Sequence, residues 1–265
     1  MKRLLILLIV PFLSFGQLND KWRSGSAYSL SGKIYVLTIF ISETNWEYDD
    51  KIQQYDKIYE AQNWITQQAK TYNKTIDFIG GQFGLEETII MKDIPVGTAS
   101  GNEPVDIINT ALQKIGYSNP LIFFEWVKNN TDADNCAVLI LANKAGNGYA
   151  VPCNEELINY STRNKELYFL EGTILYRKYL NNNDLASASI AHELLHLFGA
   201  WDLYQTYAQP KSREDKAKEL FPDDIMLRTS YDINTLKIDK LTAWLVGLSH
   251  FYEDWYEWFR PISKD

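Results

Sequence analysis

The sequence lacks the features that would mark it as a nucleic-acid-binding or disordered chain. Its 265 residues contain 26 Lys and Arg against 34 Asp and Glu, giving a formal net charge of -8, and no block of basic residues occurs. An extended electrostatic footprint for nucleic acid is therefore not expected. Hydrophobic residues make up 46% of the chain and aromatic residues 14%. This composition predicts a folded protein with a sizeable core.

Long apolar runs are also scarce, since the only one covers residues 4–13. The run follows two basic residues and ends in Ser14-Phe15-Gly16, a small-x-small cleavage pattern. It is too short to span a bilayer, but it has the flank, length and cleavage chemistry of a signal peptide. We therefore expect residues 1–16 to be removed and residues 17–265 to be secreted or periplasmic. The mature chain is expected to have no membrane span.

The chain has only two cysteines, Cys136 and Cys153. In a protein exported to an oxidising compartment, one disulfide across the Asn- and Gly-rich segment between them is their simplest fate. The sequence therefore predicts a Cys136–Cys153 bridge. A loop of this length would contribute about 3 kcal/mol to stability, chiefly by restricting the unfolded chain.

Hydrophobic patterning predicts an α+β fold with an α/β-like N-terminal part. Continuous β-rich apolar runs at residues 34–41 and 137–142 are typical of central strands covered on both faces. Between them, residues 50–72 have apolar residues near helical spacing, and residues 76–79 resemble a short strand. Strand, long helix and strand together imply a parallel crossover. Further strands are predicted at residues 87–91 and 166–170, and further helices at 104–115, 184–198 and 238–248.

The strongest pattern in the sequence is an HExxH motif at residues 192–196, inside the predicted helix at 184–198. His192 and His196 would lie one turn apart on one helix face, so two imidazoles can bind one zinc ion. Glu193 lies beside them and can take a proton from bound water. With three histidines in the whole chain, a chance HExxH has a probability on the order of one in a thousand. The expected cofactor is Zn²⁺.

A hydrolytic zinc site usually has three protein ligands and one open position, so a third ligand is needed. Gly199 can end the helix with a positive φ and turn the chain back toward the metal. Asp202, ten residues after His192, would then reach the ion from a loop. Asp202 is the predicted third ligand.

The run HELLHLFGAWD at residues 192–202 fits the pattern HExxHxxGxxD. It resembles the metzincin clan of zinc peptidases, whose snapalysin-like members carry Asp as the third ligand. Asp223-Asp224-Ile225-Met226 resembles the Met-turn of that clan, in which a methionine forms a packed, non-ligating floor. The resemblance implies a twisted mixed sheet, an active-site helix and a smaller, irregular C-terminal subdomain. It divides one metallopeptidase domain into residues 17–199 and 200–265.

These residues predict an exported zinc metallopeptidase, an endopeptidase that cleaves protein or peptide substrates. Zinc would polarise the peptide carbonyl and lower the pKa of its water toward about 7, while Glu193 would move the proton to the leaving amine. Two alternatives stay open. In a gluzincin-like peptidase, Glu214 or Glu219 would supply the third ligand. A non-catalytic extracellular zinc-binding or adhesion module is the other, and the presence of Glu193 argues against it.

Three further groups of residues are predicted to be structural. Tyr231 could donate a hydrogen bond to an oxyanion but is expected to be a core tyrosine. Asp132 and Asp134 lack the glycine and the terminal Glu of a calcium loop and are expected to lie in a solvated turn. The C-terminal aromatic residues are expected to be buried on one helical stripe; they are Phe251, Trp255, Trp258 and Phe259.

Overall fold

The structure is a computed structural model that describes residues 25–96, 103–152 and 170–262. The predicted signal peptide, most of the predicted strand at 166–170 and Cys153 lie outside the described residues. Cys136 is a buried thiol with no disulfide partner in the described part of the chain. Because its expected partner is not described, the Cys136–Cys153 bridge stays a prediction.

A seven-stranded, twisted mixed sheet forms the centre of the described chain. Its strands are β1 (Gly32–Ser42), β2 (Ile76–Ile79), β3 (Gln82–Phe83), β4 (Ile89–Ile90), β5 (Asn135–Ala145), β6 (Tyr149–Val151) and β7 (Gly172–Lys178). The order along the sheet is β2-β1-β5-β7-β6, while β3 and β4 also pair with β1. Only β6 runs antiparallel to its neighbour among these strands. The two long apolar strands, β1 and β5, lie inside the sheet, as predicted, and the structure shows that they pair with each other.

Helices cover both faces of this sheet. They are α1 (Tyr48–Thr71), α2 (Glu103–Lys114), α3 (Pro120–Asn130), α4 (Ser187–Leu197), α5 (Lys211–Leu220) and α6 (Lys240–Leu245), with 3₁₀ helices at Ile233–Thr235 and Asp254–Phe259. Helices α1, α4 and α6 share one apolar cluster with Val36 and Phe40 of β1, whereas α2 and α3 share the other with Leu37 and Ile39. This alternation along β1 buries both faces of the sheet. The predicted α+β fold is confirmed. No helix in the described ranges is long and apolar enough to cross a membrane.

Helix α4 begins at Ser187, three residues later than predicted. The polar residues 181–184 before it form a turn that follows β7. Asp184 makes a β-bridge with Lys178, and the N–H of Leu185 donates to the carbonyl of Arg177 at 3.0 Å. Ala186 is consequently the N-cap residue of the helix, and no side chain caps the helix.

Two expectations about aromatic burial are wrong. Tyr231 is 68% exposed and is therefore not a core residue. In the C-terminal aromatic run, Phe259 is fully buried, but Phe251 and Trp258 are 67% and 45% exposed. The α-helical stripe does not form because residues Asp254–Phe259 make a 3₁₀ helix, whose period of three residues changes which side chains share a face. The expectation for Asp134 holds, since its carboxylate accepts the N–H of Lys33 at 2.9 Å in a turn.

Candidate metal centre

The buried helix α4 carries both histidines of the HExxH motif. Ala191, Leu194 and Leu195 on this helix are at most 1% exposed, which fixes the helix in the core. His192 and His196 lie one turn apart, and their Nε2 atoms are 3.1 Å from each other. The spacing predicted from the sequence thus places both imidazoles at one point. Glu193 is half-buried beside them.

Asp202 completes the group because the chain turns back at Gly199. Gly199 has a φ of +96°, a conformation that favours glycine, and the N–H of Ala200 donates to the carbonyl of Leu195 at 3.2 Å. The next residues carry Asp202 to the histidines. Its Oδ1 atom lies 3.2 Å from Nε2 of His192 and 3.1 Å from Nε2 of His196.

The three atoms form a group that could hold a metal ion. Their separations of 3.1 and 3.2 Å make a nearly equilateral triangle. Ligands placed 2.0–2.1 Å from a tetrahedral ion lie about 3.3 Å from one another, so the triangle has nearly the size of one tetrahedral face. Two imidazole nitrogens and one carboxylate oxygen also leave the fourth position of such an ion open.

The second nitrogen of each imidazole is held by a backbone carbonyl. Nδ1 of His192 lies 3.0 Å from the carbonyl oxygen of Ile225, and Nδ1 of His196 lies 2.8 Å from that of Ala200. A carbonyl can only accept, so each Nδ1 carries a proton, and each Nε2 can offer its lone pair to the centre of the group when the ring is neutral. This arrangement is typical of metal-binding histidines.

Burial and the neighbouring charges of the group shift the pKa values of Asp202, His196 and Glu193. Burial alone would raise the pKa of Asp202, but His196 and His192 hold the pKa of this carboxyl below its usual range. Burial lowers the pKa of His196, and the carboxylates of Asp202 and Glu193 outweigh it, so the net shift is upward. Burial also raises the pKa of Glu193. A metal ion would require a neutral His196, and its binding would release a proton.

A buried carboxylate oxygen of Asp202 that has no hydrogen-bond partner within the described ranges also suits a metal ion. Oδ1 of Asp202 is buried and accepts no hydrogen bond of normal geometry from any described residue, although two imidazole nitrogens lie near it. Such an orphaned carboxylate oxygen is costly unless a cation or a donor satisfies it. The residues present therefore fit a divalent metal ion.

Tyr204 is a site residue that the sequence analysis missed. It lines the cleft beside Asp202, and burial, followed by the charges of Asp202 and Glu193, raises the pKa of the phenol. The ring lies 6.0 Å from that of His192. The tyrosine follows Asp202 by two residues, a spacing that would have drawn attention to it once Asp202 was chosen.

A cleft of about 540 Å³ opens over the group. Glu193, His196 and Asp202 line it together with residues of the short strand β6 and of the loop after Asp202. Strand β6 is the last strand in the order of the described sheet, and its residues Tyr149 and Ala150 line the cleft. Glu193 lies next to the start of this strand, since a Cβ atom on Gly148 would be 3.8 Å from its Cγ.

The two glutamates considered as other third ligands do not join the group. Glu214 on α5 accepts the N–H of Gln205 at 3.0 Å and pairs with Lys218. Glu219 pairs with Lys216 at 2.8 Å. Met226, which the sequence suggested as the methionine of a Met-turn, is fully buried. Its carbonyl accepts the N–H of Leu203 at 2.9 Å.

No protein-family model matches the chain, and no curated protein is significantly similar to it.

Proposed function

We propose that the protein is a zinc metallopeptidase of the metzincin type that cleaves protein or peptide substrates internally. One observation carries the proposal: a His-His-Asp triangle of tetrahedral size lies at the floor of a cleft with a glutamate next to it. The donor set of two nitrogens and one oxygen suits Zn²⁺ with an open position. The predicted signal peptide at residues 1–16 would direct this activity to the periplasm or the medium.

The chain's own residues would divide the chemistry between them. Zinc, when bound by His192, His196 and Asp202, would supply Lewis acidity toward the substrate carbonyl and the attacking water. Glu193 would accept the proton of the water and deliver it to the leaving amine. Its raised pKa moves this carboxyl toward the range in which it can both accept and donate a proton near neutral pH.

The outer edge of β6 would bind an extended substrate. The backbone groups of Tyr149–Val151 use one side of the strand to pair with β7. A peptide on the other side would add a strand to the sheet and lie across the cleft beside Glu193. The described lining has no charged side chain other than those of Glu193, His196 and Asp202.

The test is the Glu193→Gln variant. The amide keeps the shape of the side chain and leaves the three ligands intact, so zinc content should stay at one per protein while peptide cleavage falls by about 10²-fold or more. Zinc is measured by elemental analysis and cleavage with casein and a peptide library. Asp215→Asn on the exposed surface of α5 is the control and should match the parent in both.

Two results would count against the proposal. Parent-like cleavage by Glu193→Gln would remove the glutamate from the mechanism. A parent protein with one zinc and no cleavage of any library peptide would favour the non-catalytic zinc-binding module.

A further inference from the structure

Asp224 is a fully buried carboxyl that no role in the proposed mechanism explains. Both of its oxygens accept backbone hydrogen bonds: Oδ1 from the N–H of Met226 at 2.7 Å and Oδ2 from the N–H of Asp239 at 2.8 Å. The first bond closes the turn that contains Ile225. The second joins that turn to the residue that precedes α6. A single side chain therefore connects two segments of the chain.

Backbone bonds align the same two segments. The N–H of Ile225 donates to the carbonyl of Lys237, and the N–H of Lys237 donates to the carbonyl of Asp223, both at 3.0 Å. On the other side, Ile238 is held by α1, because Gln68 accepts its N–H at 3.0 Å and Tyr72 donates to its carbonyl at 2.7 Å. The turn is thus anchored to the core through Asp224 and its neighbours.

This turn supports two of the three candidate metal ligands. The carbonyl of Ile225 accepts from Nδ1 of His192 at 3.0 Å. The carbonyl of Met226 accepts from the N–H of Leu203, the residue after Asp202, at 2.9 Å. Any displacement of the turn would therefore move the support of a histidine and of the aspartate together.

We infer that Asp224 is a positioning residue of the metal centre, which holds the turn at Ile225 and Met226 so that His192 and Asp202 converge on the ion. The inference rests on the metal centre of the proposed function but not on peptide cleavage. A buried carboxylate is retained only where hydrogen bonds compensate for its burial, and Asp224 has one such bond in each segment. Losing either donor would release one end of the connection.

The electrostatics of Asp224 agree with this role. Burial raises the pKa of its carboxyl to about 6, against the effect of the two backbone hydrogen bonds, and the neighbouring charge of Asp239 adds to the rise. Among the described residues no Lys or Arg pairs with Asp224. The two N–H donors are consequently its main compensation at neutral pH.

The test compares Asp224→Asn with Glu171→Gln. Asparagine keeps the volume and one acceptor oxygen, but its NH₂ group faces the N–H of Asp239 and cannot accept from it. Glu171 is a matched control, since it is 1% exposed, accepts the N–H of Ala27 at 2.5 Å and is not one of the three candidate metal ligands. Zn²⁺ affinity is measured by chelator competition at fixed pH, and ligand geometry by the visible absorption of the Co²⁺-loaded proteins.

Asp224→Asn is expected to bind Zn²⁺ about 10–100-fold more weakly than the parent and to show a changed Co²⁺ spectrum, as is typical when the support of a ligand is lost. Glu171→Gln is expected to lower thermal stability while leaving both readouts unchanged. An Asp224→Asn protein with parent affinity and spectrum would overturn the inference, and so would equal losses in the two variants. Because neither readout uses hydrolysis, an inactive parent would leave this result intact.

A measurement on the parent covers the case in which Asp224→Asn does not fold. Coupling between two sites is reciprocal, so metal binding should stabilise the turn if the turn stabilises the metal site. Amide hydrogen exchange of Met226 and Asp239 should slow on Zn²⁺ loading by more than that of Val127 on the opposite face of the sheet. Equal slowing at all three amides would overturn the inference.

Discussion

At the scale of single residues, side-chain identity predicted the three residues that come together as candidate metal ligands, but it missed the groups that support them. The four-residue spacing of His192 and His196 fixes their common face once a helix is assumed, and Gly199 offers the turn that brings Asp202 back. The atoms that orient the imidazoles are carbonyl oxygens of Ile225 and Ala200. Every residue has a carbonyl, and Ile225 is 33 residues from His192, so no pattern in the sequence could identify this partner.

Replacing Asp202 tests the third ligand. Loss of a residue that supports a metal ligand typically weakens metal binding by about 10–100-fold. Asp202→Ala should weaken Zn²⁺ binding by more than this, because it removes a ligand itself. Glu214→Ala should bind Zn²⁺ like the parent, since its carboxylate bonds to Gln205 and lysines of α5. Chelator competition at one pH measures both constants. Release of zinc by Glu214→Ala alone would instead support the gluzincin-like site.

At the scale of elements, the predictions were best where one periodic pattern dominates. The strand at 76–79 has the predicted bounds, and α1 begins two residues before its predicted start. Predictions failed where long-range contacts decide. Helix α6 covers only Lys240–Leu245 of the predicted 238–248. It ends early because Gly247 has a φ of +86°. It begins late because residues 237–238 form hydrogen bonds with the turn before Met226 and with α1. Helices α3 and α5 were not predicted.

The contact between α1 and the segment before α6 should make stability depend on alkaline pH. Burial, followed by the charges of Asp239 and Asp224, raises the pKa of Tyr72 to about 12. An unfolded tyrosine ionises near pH 10. The folded state therefore favours the neutral phenol, and the stability that this phenol contributes is present below pH 10 and is lost as the pH rises toward 12.

Tyr72→Phe isolates this contribution. At pH 8 the variant should be less stable than the parent by about 1 kcal/mol, because the hydrogen bond from Tyr72 to the carbonyl of Ile238 is missing. This difference should shrink as the pH rises from 10 to 12, since only the parent loses stability through this group. Urea unfolding at pH 8 and at pH 11.5 measures it. A difference that is the same at both values would show that Tyr72 does not ionise on unfolding.

At the scale of the whole molecule, the candidate metal centre lies on helix α4, whose apolar residues belong to the larger of the two apolar clusters. This cluster joins α1 and α4 to residues far along the chain, including Met226, Leu241 and Phe259. The sequence predicted the central strands that separate the two clusters. It did not predict which later residues pack around α4. The C-terminal aromatic run was interpreted with the spacing of an α-helix, whereas residues Asp254–Phe259 form a 3₁₀ helix with a period of three residues.

Metal removal should consequently lower the stability of the whole described fold. An ion that binds only the folded state stabilises it by about 2.7 kcal/mol when its free concentration is 100 times Kd. For a chain of this size, that free energy corresponds to a rise in Tm of about 5–10 °C. Thermal unfolding with Zn²⁺ and with excess chelator measures the shift. His196→Ala should show little of it, and an equally large shift in that variant would indicate zinc binding elsewhere.

The burial of Met226 has a consequence for oxidative damage. Its side chain has no exposed surface in the cluster beneath α4. Oxidants convert methionine thioethers to polar sulfoxides where they can reach the sulfur. Because the carbonyl of Met226 holds Leu203 and the carbonyl of Ile225 holds His192, a sulfoxide at this position would disturb the supports of two ligands at once. The closed fold shields this thioether, so we expect peroxide to reach it only in the transiently opened protein.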